Sequence, residues 1–137
     1  MILHAWVIMN NHIHLVIRGS ETNTVSDIMR DFKKYTSKQI IKAIHENPQE
    51  SRRDWMLNLF NYAGRINNHV VEYQFWKHDY HPIALNTDEK IAQRLNYLHE
   101  NPVRAGIVWR AQDYKYSSAI DYYDNKPGIL PIVKLEL

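Results

Sequence analysis

No cysteine occurs in the 137 residues, which removes disulfides and every thiolate metal site and fits a reducing compartment. Any metal must therefore be held by His, Asp, Glu, Asn or Gln. No apolar stretch approaches the length needed to cross a bilayer, and no basic leader with a small-residue cleavage site precedes the first apolar run. These features predict a soluble, cytoplasmic protein with no membrane partner. Net charge is +2 and the isoelectric point is near 8.8, too mild to announce a polyanion ligand. Internal repeats, low-complexity tracts and domain linkers are also missing, so residues 1–137 read as one domain.

Hydrophobic content of 45% and charged content of 23% are ordinary for a globular chain. Residues 2–8 (ILHAWVI) and 12–17 (HIHLVI) read as strands joined by MNN. A long amphipathic helix follows from about Val25 to Ile44, with Thr24 and Asp27 placed as a capping pair. Trp55 to Ala63 predicts a second helix capped by Gly64. VVEYQFWKHDYHPIAL, residues 70–85, is β-prone and aromatic and predicts a strand or hairpin. Asn86 or Thr87 can cap a third helix over 88–101, with Ile91, Leu95 and Leu98 as its buried stripe and Pro102 as its stop. The tail after DYKYSS has weak periodicity.

Chemistry is suggested first by His12 and His14. Strand alternation puts them with Val16 on one face, with Cα atoms roughly 6–7 Å apart, while Ile13, Leu15 and Ile17 face the other way. Such a pair can grip a cation, or be merely hydrogen-bonded or exposed. At the end of the third helix Tyr97 and Asn101 are one turn apart and present a hydroxyl and an amide on one flank of the core stripe. Read alone, they are more readily a half-buried aromatic and a helix cap before proline. Arg30, Lys34 and Lys38, with Lys33 beside them, form a basic stripe on the first helix. That stripe suits phosphates or is simply solvated. Trp76, Tyr80 and Tyr116 are candidates for stacking bases, or core aromatics. His78 and His81, around Asp79, read as structural, and His99 faces away from Tyr97 and Asn101.

Taken in order, AWVIMNNHIHLVI, DFKKYTSKQI, QFW, YLHENPVRAGIV and DYKYSS resemble the REP-associated tyrosine transposases, within the single-tyrosine HUH transposases of insertion sequences. The resemblance implies an α+β fold of HUH-endonuclease type, a ferredoxin-like antiparallel sheet with helices packed on it. Relatives usually carry a strand and a helix before the His-hydrophobic-His strand, so the fold is expected to be N-terminally shortened here. Carried over position by position, His12 and His14 become metal ligands, Asn101 completes the site, and Tyr97 becomes the nucleophile. Arg104, in the same motif, becomes a DNA contact along with Arg30, Lys33, Lys34 and Lys38. The implied cofactor is Mg2+ or Mn2+, imidazole nitrogen favouring manganese and cellular abundance favouring magnesium.

The implied reaction is cleavage and rejoining of single-stranded or hairpin DNA through a 5′-phosphotyrosine, in a bacterial, nucleoid-associated protein. A non-cleaving, domesticated module that only grips hairpin DNA is the alternative. Lack of the N-terminal strand would leave backbone groups unpaired, and lack of its helix would bare part of an apolar face near Ile2, Leu3 and Val7, which predicts a homodimer covering that edge.

Overall fold

The computed structural model describes residues 1–67, 72–77 and 81–136. Its class is mixed α+β, with helices and an antiparallel sheet, as the sequence implies. The chain divides into two compact units, Met1–Val25 with Ile83–Leu137, and Ser26–Pro82. Among the described residues no helix is long and apolar enough to cross a membrane.

In the first unit, β1 (Ile2–Ile8) and β2 (Ile13–Arg18) form a two-stranded antiparallel ribbon. The connecting turn is closed by the Met9 N–H donating to the His12 carbonyl at 2.8 Å. Val7 lies opposite His14 and Ala5 opposite Val16, with the register broken at His4. Ala5 and Val7 are fully buried and pack with Leu95 and Leu98 of α3 (Asp88–Arg104) into one apolar cluster. The cross-strand partners of these residues share their face, so α3 covers the face that carries His14 and Val16.

Thr87 is the N-cap of α3 and its side chain accepts from the Lys90 N–H. The other end departs from expectation, because Pro102 lies inside the helix rather than ending it. Proline in the last turn removes the N–H that would reach the Leu98 carbonyl. That carbonyl instead accepts from Asn101 Nδ2 at 3.3 Å. The helix ends at Arg104, two residues after Pro102, with Ala105 as its C-cap and Gly106 next, at φ of +69°. Gly106 N–H donates to Val103 and Ile107 N–H to Pro102, which together make a Schellman ending.

The outer edge of β1, expected to be bare, is covered by the chain's own C-terminal segment. Ile8 N–H donates to Tyr116 O, Ser118 N–H to Trp6 O and Val133 N–H to Leu3 O, all at 2.9 Å. Val7 and Ser117 form a bridge, and His4 Nδ1 lies 2.7 Å from Val133 O. A 3-10 turn (Ala111–Asp113) and the short α4 (Ala119–Tyr123) build this segment. Its weak periodicity hid a covering role that depends on backbone pairing instead of an apolar stripe.

In the second unit, α1 (Val25–Glu46) and α2 (Arg53–Arg65) are joined through residues 72–77. Phe75 packs between Phe60 and Trp76, the Trp76 indole N–H donates to Thr36 Oγ1 at 2.9 Å, and Gln74 N–H donates to Phe60 O. The expected strand or hairpin over 70–85 is not formed in its described parts, 72–77 and 81–85, where side-chain packing takes the place of a ladder. Gly64 is not a cap either. It is buried in the last turn of α2, where a Cβ would come within 2.6 Å of the Glu72 carbonyl oxygen.

Candidate functional site

His12 ends the turn before β2 and is exposed, whereas His14 lies within the strand and is half-buried. Their ring centroids are 5.0 Å apart and nearly perpendicular. The His14 ring in turn meets the Tyr97 ring edge-on, 5.7 Å between centroids. Two features of the sequence bring these groups together. Strand alternation turns His14 to the face covered by α3, and Tyr97 sits on the flank of α3 beside Leu98, which anchors the helix against Val7. Tyr97 keeps 39% of its surface exposed, so its hydroxyl is reachable.

The two imidazoles differ in their surroundings. His12 Nδ1 lies 2.6 Å from Asn11 Oδ1. An amide oxygen only accepts, so Nδ1 carries the hydrogen, and in the neutral ring the lone pair is on Nε2. Burial, and secondarily the neighbouring His12, push the His14 pKa below its ordinary value, which keeps this ring neutral at pH 7. Asn101 donates through Nδ2 to the carbonyls of Tyr97, at 2.8 Å, and Leu98. Both donors of its amide nitrogen are thus spent on the helix, and Oδ1 remains as an acceptor. Among the described residues no three His, Asp, Glu or Cys side chains group to hold a metal. The donor set here is two imidazoles and an amide oxygen. These are donor types that a divalent cation accepts.

Arg104 places its guanidinium carbon 4.9 Å from the Tyr97 ring centroid. Arg94, which the sequence reading passed over, lies 6.0 Å from the same centroid. The signal was present, since Arg94 stands three residues before Tyr97 and so on the same side of the helix.

The remaining candidates are in the second unit or apart from these rings. Arg30 is paired with Asp27 and Asp31, each at 2.9 Å, so its charge is largely committed. Lys33 donates to the Lys77 carbonyl at 3.4 Å, while Lys34 and Lys38 are exposed. Trp76 is a packing residue, and Tyr116 is 51% exposed. Tyr80, His78 and Asp79 lie outside the described residues. His99 points into the interior, against Tyr122 and Tyr123, with Nε2 2.9 Å from Ser118 Oγ.

Residues 1–61 match the family model described as Transposase IS200 like. The transposase-like segment is less than half of the chain and contains β1, β2, both histidines and the basic face of α1. It stops short of Asn101, Arg104 and Tyr97, and of these Tyr97 meets His14 through the fold of the first unit. Comparisons with curated proteins and with solved structures give no match.

Proposed function

We propose that this chain is a DNA strand-transfer enzyme of the REP-associated tyrosine transposase kind, cleaving and rejoining single-stranded or hairpin DNA with Tyr97 as nucleophile. One observation carries the proposal. The His14 ring, inside the transposase-like segment, touches the Tyr97 ring, outside it. A family resemblance in one part of the chain and a candidate nucleophile in another thus meet in one place.

The reaction is a transesterification. Tyr97 Oη attacks a backbone phosphorus, an Oη–P bond forms, and the bond from phosphorus to the 3′-oxygen breaks. The phenol proton passes to solvent and the departing 3′-oxygen takes one up, so a phosphotyrosine and a 3′-hydroxyl result with no water consumed. Reversal with another 3′-hydroxyl rejoins the strand. His12, His14 and Asn101 would hold a Mg2+ or Mn2+ ion, which supplies charge neutralisation at the phosphate and polarises phosphorus. Tyr97 is fixed for attack by the His14 edge on one side and by its place on a helix anchored through Leu95 and Leu98. Exposed Lys34 and Lys38, together with Lys33, add an electrostatic attraction to DNA that carries no sequence information. Such an activity puts the protein to work at the bacterial nucleoid, in the cytoplasm.

A homodimer belongs to the same reading, with its contact moved. The outer edge of β1 is taken by the chain's own residues 116–118 and 133, so strand addition by a second copy falls to β2.

The test is incubation with labelled single-stranded hairpin DNA and manganese, followed by a denaturing gel. A covalent adduct carries the proposal. Retained DNA binding without any adduct replaces it with the non-cleaving hairpin-binding module.

A further inference from the structure

We propose that Arg94 and Arg104 together form a two-guanidinium clamp for the DNA phosphate at Tyr97, with Arg94 a phosphate-contacting residue. The proposal deepens the strand-transfer reading of the same site and rests on it for the identity of the phosphate.

Arg94, Tyr97, Asn101 and Arg104 are spaced i, i+3, i+7 and i+10 along α3, so they fall within one narrow stripe of a 3.6-residue helix. The core stripe of Leu95, Leu98 and Pro102 lies round the helix from it. Arg104 stands about 10 Å beyond Tyr97 along the axis, at 1.5 Å per residue, yet its side chain reaches back to within 4.9 Å of the ring centroid. That is the direction in which long helical side chains lean. Arg94 approaches from the preceding turn, at 6.0 Å. The two cations therefore flank one ring, attracted by its negative face.

Neither guanidinium has a carboxylate or hydrogen-bond partner among the described residues. Elsewhere in the chain Arg30, Arg52, Arg53 and Arg110 each hold a carboxylate, at 2.6–3.1 Å. Two arginines brought beside one tyrosine without an anion of their own leave charge and forked N–H groups for an anion arriving at that tyrosine. Planar guanidinium forks match phosphate oxygens bidentately, a geometry lysine lacks. The anion is the phosphodiester under attack, and afterwards the phosphotyrosine, whose non-bridging oxygens stay within reach. Cations fixed where negative charge gathers in the transition state speed phosphoryl transfer without reorganising.

The test uses the full chain with Arg94→Gln, Arg94→Lys and Arg104→Gln, each checked for an unchanged melting temperature. Binding of a labelled single-stranded oligonucleotide is measured against salt in the Tyr97→Phe background with divalent ions chelated, and adduct formation is timed in the Tyr97 background with manganese. Loss of one phosphate contact should shallow the log–log salt slope by about 0.7, the value for single strands. Arg94→Gln should slow adduct formation by about 10²-fold, the scale on which one lost charge-stabilising donor acts. Arg94→Lys should restore the slope but not the rate, which a merely structural role would not do. An Arg94→Gln protein with wild-type slope and rate overturns the clamp. Should the wild type form no adduct, the strand-transfer reading fails, and the salt slope alone still decides whether Arg94 holds phosphate.

Discussion

The His14 imidazole meets the Tyr97 ring at 78° between planes and 5.7 Å between centroids. Eighty-three positions separate the two residues, and only the packing of α3 on the His14 face of the ribbon joins them. Replacing Tyr97 by Phe keeps the ring, and with it the contact to His14, while deleting the oxygen. Tyr97→Phe should therefore abolish the covalent adduct and change stability by less than about 0.5 kcal/mol, as for other partly exposed substitutions. His12→Ala and His14→Ala should lower both adduct formation and manganese affinity, the latter read by calorimetry. An adduct that survives Tyr97→Phe moves the nucleophile to another tyrosine.

Asn101 has two separable jobs. Its Nδ2 serves the Leu98 carbonyl that Pro102 leaves without a helical donor, and its Oδ1 is free for a ligand. Asn101→Ala should cost about 1 kcal/mol for the lost bond, read by denaturant unfolding. In a Pro102→Ala background the backbone N–H returns to Leu98, so the same change should cost measurably less, a coupling of about 0.5–1 kcal/mol. Adduct formation should stay impaired in the double variant, because no oxygen ligand has been restored. Recovery of activity along with stability would make Asn101 purely structural.

Much of this architecture was legible in the residues, and the failures share a cause. Helices α1 and α3 declared themselves through the spacing of Ile28, Phe32, Ile91, Leu95 and Leu98, and strand alternation fixed which face carries His14. Pro102 misled because its local preference to end a helix was outweighed by the Asn101 amide and by Gly106, whose positive φ allows the Schellman ending. Phe75 and Trp76 suggested a strand, yet their rings serve as wedges between helices of the second unit. Covering of β1 by Tyr116–Ser118 and Val133 rests on backbone groups more than 100 positions away. No local pattern encodes such pairing. Arg94 was missed because a surface arginine acquires meaning only from the ring beside it.

Among the described residues β1 is covered on both sides, which leaves β2 as the edge where a second copy would extend the ribbon. Light scattering behind size exclusion should give about twice the 16.4 kDa chain mass. Proline at Leu15, within β2, should then shift the protein to monomer by removing a ladder donor, without touching the β1 contacts to the C-terminal segment. A monomeric wild type at micromolar concentration removes strand addition from the reading.

His99 gives the clearest dependence of stability on pH. The ring is 1% exposed, against Tyr122 and Tyr123, and its Nε2 lies 2.9 Å from Ser118 Oγ. Burial pushes its pKa down to about 4, against the opposing pull of Asp121. In the unfolded chain the ring titrates near 6.5. Below that value the unfolded state binds a proton that the folded state refuses, so folding free energy is lost as pH falls from 6.5 toward 4. Across the 2.5-unit difference between 6.5 and about 4, the loss is on the order of 3 kcal/mol at 1.36 kcal/mol per unit. His99→Gln can keep a polar atom near Ser118 and does not titrate. Unfolding by urea at pH 7 and pH 5 should therefore show a drop of about 2 kcal/mol more for the wild type than for His99→Gln, from 1.5 units below the unfolded value. Equal drops in the two proteins would mean that His99 takes up its proton without leaving the core.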